Sequence, residues 1–166
     1  SMTLVGDLAQ RSTGAPGSWR DHLPDSISDF EYRELTINYR SPAEVNRLAA
    51  SVLAELAPEL TPAQAIRSTG TEPVAVHSED LAAGLVAVVA SELEAVGRGR
   101  LAVIGASDAE VGACRPSPHL QFLDPKTSKG LEFDSVIVVE PQRIIERPAG
   151  LSLLFVALTR TTDRLT

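Results

Sequence analysis

A chain of 166 residues with 43% apolar side chains can build one domain with a full core, and at 4% aromatics that core must be aliphatic. The single cysteine, Cys114, excludes an internal disulfide framework, and His22, His77 and His119 are too scattered to give metal-ligand spacing. A net charge of −7 and a pI near 4.9 argue against a bulk polycationic nucleic-acid binder, but not against a local basic groove.

The first residues, Ser1 to Val5, lack the basic-then-apolar pattern of a signal peptide, and no stretch is long and apolar enough to cross a membrane, so a cytoplasmic protein is expected. Thr3–Val5 reads as the end of a strand, followed by the turn Gly6-Asp7. From Arg11 to Asp29 the chain is polar and broken by Gly and Pro, a loop with one short helical turn. Glu34–Ile37 predicts a strand. Ser41, Pro42 and Glu44 then form a Ser-x-x-Glu start for a helix over Pro42–Ala57, on which Val45, Leu48, Ala49, Val52 and Leu53 recur at helical spacing. The stretch PELTPAQAIRSTGTEP reads as a connection. Pro73–His77 predicts a short strand, Asp80–Val96 an apolar helix, and Leu101–Gly105 a strand buried on both faces. Ser107 and Asp108 open a short helix, and GACRPSPH is a loop. Leu120–Leu123 and Ser135–Glu140 are two more strands, and Gly150–Arg164 a closing helix.

Short apolar strands alternating with helices predict an α/β fold with a parallel sheet covered by helices on both faces. In such sheets ligands gather at the carboxyl ends of strands, where Gly6-Asp7 and Tyr39-Arg40 are expected. Tyr39 and Arg40 also lie at the start of a helix, where the macrodipole favours an anion and gives a cation nothing. Arg40 therefore reads as placed for a negative partner such as a phosphate.

Four stretches stand in order along the chain: GDLAQ, NYRSP, KGLEFD and VALTR. Their sequence and spacing resemble four consecutive motifs of the UvrD-like superfamily 1 helicases, over nearly the whole chain. The resemblance implies a RecA-like fold, the second of two such domains in a P-loop NTPase. Residues 1–30 would be the tail of the first domain and a connecting loop, and residues 31–166 the second domain, cut near its last strand. It also implies roles. Tyr39 would stack on adenine, and Arg40 and Arg160 would reach the γ-phosphate. Gln10 would sense that phosphate and the attacking water, with Asp7 in the same turn, and Glu132 would hold the ribose region. Gly130 would let the backbone pass close to the ligand.

Each residue also has a plainer reading. Tyr39 suits the cover of a sheet edge. Arg40 suits a surface pair with Glu44, and Arg160 the favoured cationic end of a helix. Arg164, one turn further along that helix, reads as structural. Glu132 suits a solvated loop, and Asp7 with Gln10 suits turn chemistry. Trp19 fits either a nucleobase platform or a partly buried anchor.

The chain departs from the pattern in two ways. It has no G-x-x-x-x-G-K-[ST] loop and no Asp-Glu pair for a metal. ATP with Mg²⁺ would therefore need an N-terminal RecA-like partner domain, and this chain alone should not hydrolyse it. Asp124 and Lys126 also stand near positions where many relatives carry a strand-contacting Thr and His. That departure weakens the case for nucleic-acid contacts there. The short span between NYRSP and KGLEFD, together with GDLAQ in place of GDDDQ, resembles the HelD-like branch, which acts on RNA polymerase. Single-stranded DNA and RNA polymerase are thus both candidate partners, with no membrane partner. An interaction module that kept the fold but lost turnover is the non-enzymatic alternative.

Overall fold

A computed structural model describes residues 3–11, 18–27, 29–106 and 116–166. In chain order the elements are Ile37–Asn38 (β1), Ala43–Leu56 (α1), Gln64–Ala65 (β2), Leu81–Val96 (α2), Leu101–Ile104 (β3), Leu120–Leu123 (β4), Phe133–Val138 (β5), Pro141–Ile145 (α3), Gly150–Leu158 (α4) and Thr161–Leu165 (β6), after one 3-10 turn at Trp19–His22. Four strands form a parallel sheet in the order β4-β3-β5-β6, and β1 and β2 form a separate parallel pair.

The sheet is buried on both faces. On one, Ala102, Ile104, Phe133 and Val136 meet Val45 and Ala49 of α1 and Leu153, Ala157 and Leu158 of α4. On the other, Leu101, Val103, Leu120 and Ile137 meet Leu85 and Val89 of α2. Alternate residues of β3 thus serve opposite cores, which is why its sequence is a continuous apolar run. All four of its side chains are fully buried, and each large one contributes about 1.5–3 kcal/mol. Behind the sheet, α4 starts where Ala149 takes a left-handed φ of 59° and Gly150 crosses the carbonyl of Ile145. A Cβ at Gly150 would lie 2.0 Å from that oxygen, so no other residue fits.

Several expectations are corrected. The closing helix ends at Leu158 rather than Arg164, and Thr161–Leu165 is a strand. Thr159 turns its hydroxyl back onto the carbonyls of Phe155 and Val156, and the threonine-rich stretch beyond it finds a ladder on β5. Pro73–His77 forms no strand: the Val74 N–H donates to Leu165 O at 3.0 Å, but Val74 and Val76 remain half exposed. Thr3–Val5 is irregular. The strand expected at Glu34–Ile37 is displaced to Ile37–Asn38, and its partner β2 lies inside the stretch read as a connection. The capping box does not form. Pro42 is the cap residue, Ser41 is buried with its hydroxyl directed at Thr161 O, and Glu44 turns to residues 68–70. Ser107, Asp108 and Cys114 lie outside the described residues.

Trp19 behaves as the anchor of the two readings. It is half buried, and its ring lies where a Cβ on Gly6 would come within 3.0 Å.

Candidate phosphate-binding site

The β5–β6 ladder sets the geometry. Phe133 pairs with Thr161, and the Phe133 N–H donates to Arg160 O at 3.0 Å, so the residues just before the two strands, Glu132 and Arg160, are neighbours. The NYRSP turn reaches the same place: the Arg40 guanidinium meets the Glu132 carboxylate at 2.5 Å, both side chains being partly exposed. The expected surface pair of Arg40 with Glu44 is therefore replaced by one with Glu132. The location also differs from expectation. Arg40 follows β1, but Glu132 and Arg160 precede their strands, so the cluster lies at the amino end of the main sheet.

The GDLAQ segment closes the other side. Leu8 and Ala9 are buried, and Ala9 packs with Leu53 of α1 and Ala57 just beyond its end. Asp7 accepts from Ala9 N at 2.9 Å and from Gln10 Nε2 at 2.7 Å. This fixes the amide so that Gln10 Oε1 faces Arg160 Nη2 at 3.2 Å. Lys129 Nζ donates to Gln10 O at 2.9 Å and ties the segment to the KGLEFD loop.

Arg160 is the unusual member. It is only 1% exposed, and its hydrogen bonds go to neutral oxygens: Val156 O at 2.9 Å, Thr159 Oγ1 at 3.1 Å, Gln10 Oε1 and, at 3.4 Å, Leu131 O. Burial lowers its proton affinity, the nearby Arg40 charge lowers it further, and Asp7 and Glu132 act in the opposite sense. A buried cation whose close partners are neutral, beside a second cation, is costly without an anion. The arrangement suits a multiply charged oxyanion, which the planar fork of each arginine can grip. An anion that takes the Nη2 donor facing Gln10 would displace the Gln10 amide.

Two expected residues stand apart from these contacts. Tyr39 is 69% exposed beside Arg40, which leaves its ring available as a platform. Gly130 has φ 83°, and the space a Cβ would enter is open; backbone conformation, not crowding, explains the glycine. Among the described residues no group of three His, Cys, Asp or Glu side chains is arranged to hold a metal ion.

Asn38, Arg100 and Lys129 are supporting residues that the motifs did not single out for these contacts. Asn38 Oδ1 accepts from Arg40 N at 2.9 Å and Ser41 N at 3.2 Å and shapes the turn, as an Asn before a turn often does. Arg100 donates to Glu132 O at 2.8 Å from the start of β3, a contact no local pattern reveals.

No family model matches the chain, and no curated protein matches it significantly. Among solved structures it is similar to the C-terminal domain of a possible DNA helicase from Lactobacillus plantarum WCFS1. The TM-score is 0.55 at 23% identity, over 78% of this chain and 85% of that one. An arterivirus nonstructural protein 10 helicase, solved with DNA, gives a TM-score of 0.41 at 17% identity over 79% of this chain and 24% of that one, too slight a likeness to equate sites. What the first likeness shows is the fold: a RecA-like α/β domain with a parallel sheet and helices on both faces, of the kind found in a helicase C-terminal domain.

Proposed function

We propose that this chain is the C-terminal RecA-like domain of an ATP-dependent superfamily 1 DNA helicase or translocase of the UvrD-like kind, working in the cytoplasm. It supplies half of a nucleotide cleft. Residues 1–30 belong to the tail of the first domain and the connection, and residues 31–166 to the second. Tyr39 takes the base, Glu132 the sugar, and Arg40 and Arg160 the γ-phosphate, with Gln10 exchanging its hold on Arg160 for the phosphate and the attacking water. Asp7 orients Gln10, and Gly130 shapes the loop before Glu132. The partner N-terminal domain carries the phosphate loop and the Mg²⁺ ligands, so this chain alone is inactive. Hydrolysis opens and closes the cleft and moves single-stranded DNA.

One observation carries the reading: a buried arginine with neutral partners, Arg160, lies in the same cluster as a second arginine delivered by a distant segment. Phosphoryl transfer needs such positive charge around the transferred group. The test is ATP hydrolysis by the protein that joins this chain to a phosphate-loop domain. Arg40→Ala should lower turnover about 10³-fold or more, as expected for an arginine finger. Near-normal turnover in that variant would remove Arg40 from the site, whereas no turnover by the unsubstituted two-domain protein would favour a non-enzymatic module.

A second reading, a HelD-like ATPase that remodels or recycles RNA polymerase, is favoured by Asp124. Its carboxylate is engaged within the chain, by Arg147 at 2.5 Å and by Lys126 N at 2.7 Å, at a position where a strand-contacting side chain would be needed. Salt-dependent single-strand binding supports the DNA reading; a stable polymerase complex without nucleic acid supports the other.

A further inference from the structure

The connection between α1 and α2 carries an arginine that belongs to none of the four motifs. One terminal nitrogen of Arg67 donates to Arg40 O at 2.6 Å and also to Thr162 O, two residues beyond Arg160. The side chain thus spans from the Arg40 turn to the start of β6. Its backbone is fastened as well: Arg67 O accepts the Ala43 N–H, the first of α1, at 2.8 Å. The next three residues close onto the same helix, where the Glu44 carboxylate accepts from the Ser68 hydroxyl, from Gly70 N at 3.0 Å and from Thr69 N at 3.4 Å. Residues 67–70 form a strap with one end on α1 and the other on the Arg40 turn and the start of β6.

We propose that Arg67 is a positioning residue that fixes the Arg40 turn against the start of β6 and so sets how the Arg40 and Arg160 guanidiniums face one phosphate. The inference rests on the reading that those two arginines serve a γ-phosphate. Its physical basis is that both acceptors are main-chain carbonyls. Arg40 and Arg160 are carried by segments 120 positions apart in the chain, and their side chains alone do not fix the distance between the backbones. A guanidinium offers several donors in one rigid plane and bridges two carbonyls; an ammonium on a flexible stem holds such a pair less firmly. Misplacing a catalytic group by about 1 Å costs about 100-fold in rate.

The test uses steady-state ATP hydrolysis by the protein that joins this chain to its phosphate-loop domain, with Arg67→Ala, Arg67→Lys, Arg40→Ala and the Arg67→Ala/Arg40→Ala double variant. Arg67→Ala should lower kcat about 10- to 100-fold with KM for ATP little changed, because the base and sugar contacts remain. Arg67→Lys should restore only part of kcat. The double variant should be no slower than Arg40→Ala, since Arg67 acts through Arg40. Unchanged kcat in Arg67→Ala where Arg40→Ala abolishes turnover, or losses that simply multiply in the double variant, would overturn the inference alone. Turnover indifferent to Arg40→Ala would overturn the reading beneath it. Should Arg67→Ala fail to fold, Arg67→Lys carries the comparison, and full kcat in that variant overturns the inference.

Discussion

Arg160 and Arg164 lie four residues apart, just before and within β6, and their surroundings differ in kind. Arg164 meets Glu92 of α2 through Nε at 2.9 Å and Nη2 at 3.1 Å, while Ser135 and Thr166 donate to the same carboxylate at 2.8 and 3.2 Å. Burial works to raise the Glu92 carboxyl, and the hydrogen bonds from Arg164 and Ser135 outweigh it and leave it below the usual range. The Glu92 hydrogen bond in turn pushes Arg164 up. That cluster is complete: one cation, one anion, hydroxyls on the remaining lone pairs. Arg160 is more deeply buried, has neutral oxygens as its close partners and feels a second cation. A pair that serves the fold cancels its own charge, and a site for an external anion does not.

The largest expected effect tests that contrast directly. In the two-domain protein, Arg160→Met should lower kcat about 10³-fold, roughly 4 kcal/mol of transition-state stabilisation. Arg164→Met should leave kcat nearly unchanged. Stability should run the other way. Arg164→Met strands a buried carboxylate and should cost about 2–3 kcal/mol in urea unfolding, at the low end for such pairs because Arg164 is partly exposed. Arg160→Met removes a cation whose hydrogen-bond partners are neutral oxygens and should cost less. Equal stability losses with equal activity losses would erase the distinction between the two arginines.

How much of this the sequence reveals depends on whether the determinant is local. The apolar run at 101–104 and the spacing of Val45, Ala49 and Leu53 report burial directly, so β3 and α1 fall where the pattern puts them. The start of β6 does not. VALTRTTDRL continues an apolar helical pattern, and only the ladder offered by β5, far along the chain, makes Thr161–Leu165 a strand. The same holds within the candidate site. The resemblance picks out Arg40, Arg160, Gln10 and Glu132 as a set, but the Arg40–Glu132 pair, the Gln10 amide over Arg160 and the location at the amino end of the sheet follow from strand register. Arg67 and Arg100 act through side-chain bonds to distant main-chain carbonyls, which leave no periodicity or local motif.

Tyr39 sharpens the contrast at an intermediate scale. At 69% exposure its ring does little for the fold, so Tyr39→Ala should change stability by less than about 0.5 kcal/mol. A base stacked on the ring is worth about 1–3 kcal/mol, so KM for ATP should rise about 10-fold with kcat little changed. The sheet-edge reading predicts the reverse, a loss of stability with KM unmoved, and thermal melting beside a KM measurement separates the two.

Glu44 gives the smallest effect and a third way to hold a charged group. Its carboxylate has a hydroxyl and main-chain N–H donors, and the Ser68 hydroxyl leads in drawing its pKa from 4.5 down to about 2. A carboxyl depressed in the folded chain contributes stability above its unfolded value, and that contribution fades as pH falls through the folded value. Glu44→Gln should therefore be less stable than the unsubstituted chain at neutral pH. The gap should shrink below about pH 4.5 and close near pH 2. Urea midpoints of the two chains across that range check this, and other carboxylates cancel because both chains carry them. A gap that stays constant with pH would mean the charge on Glu44 is not what secures residues 68–70, and the strap that holds Arg67 against Arg40 would need another fastening.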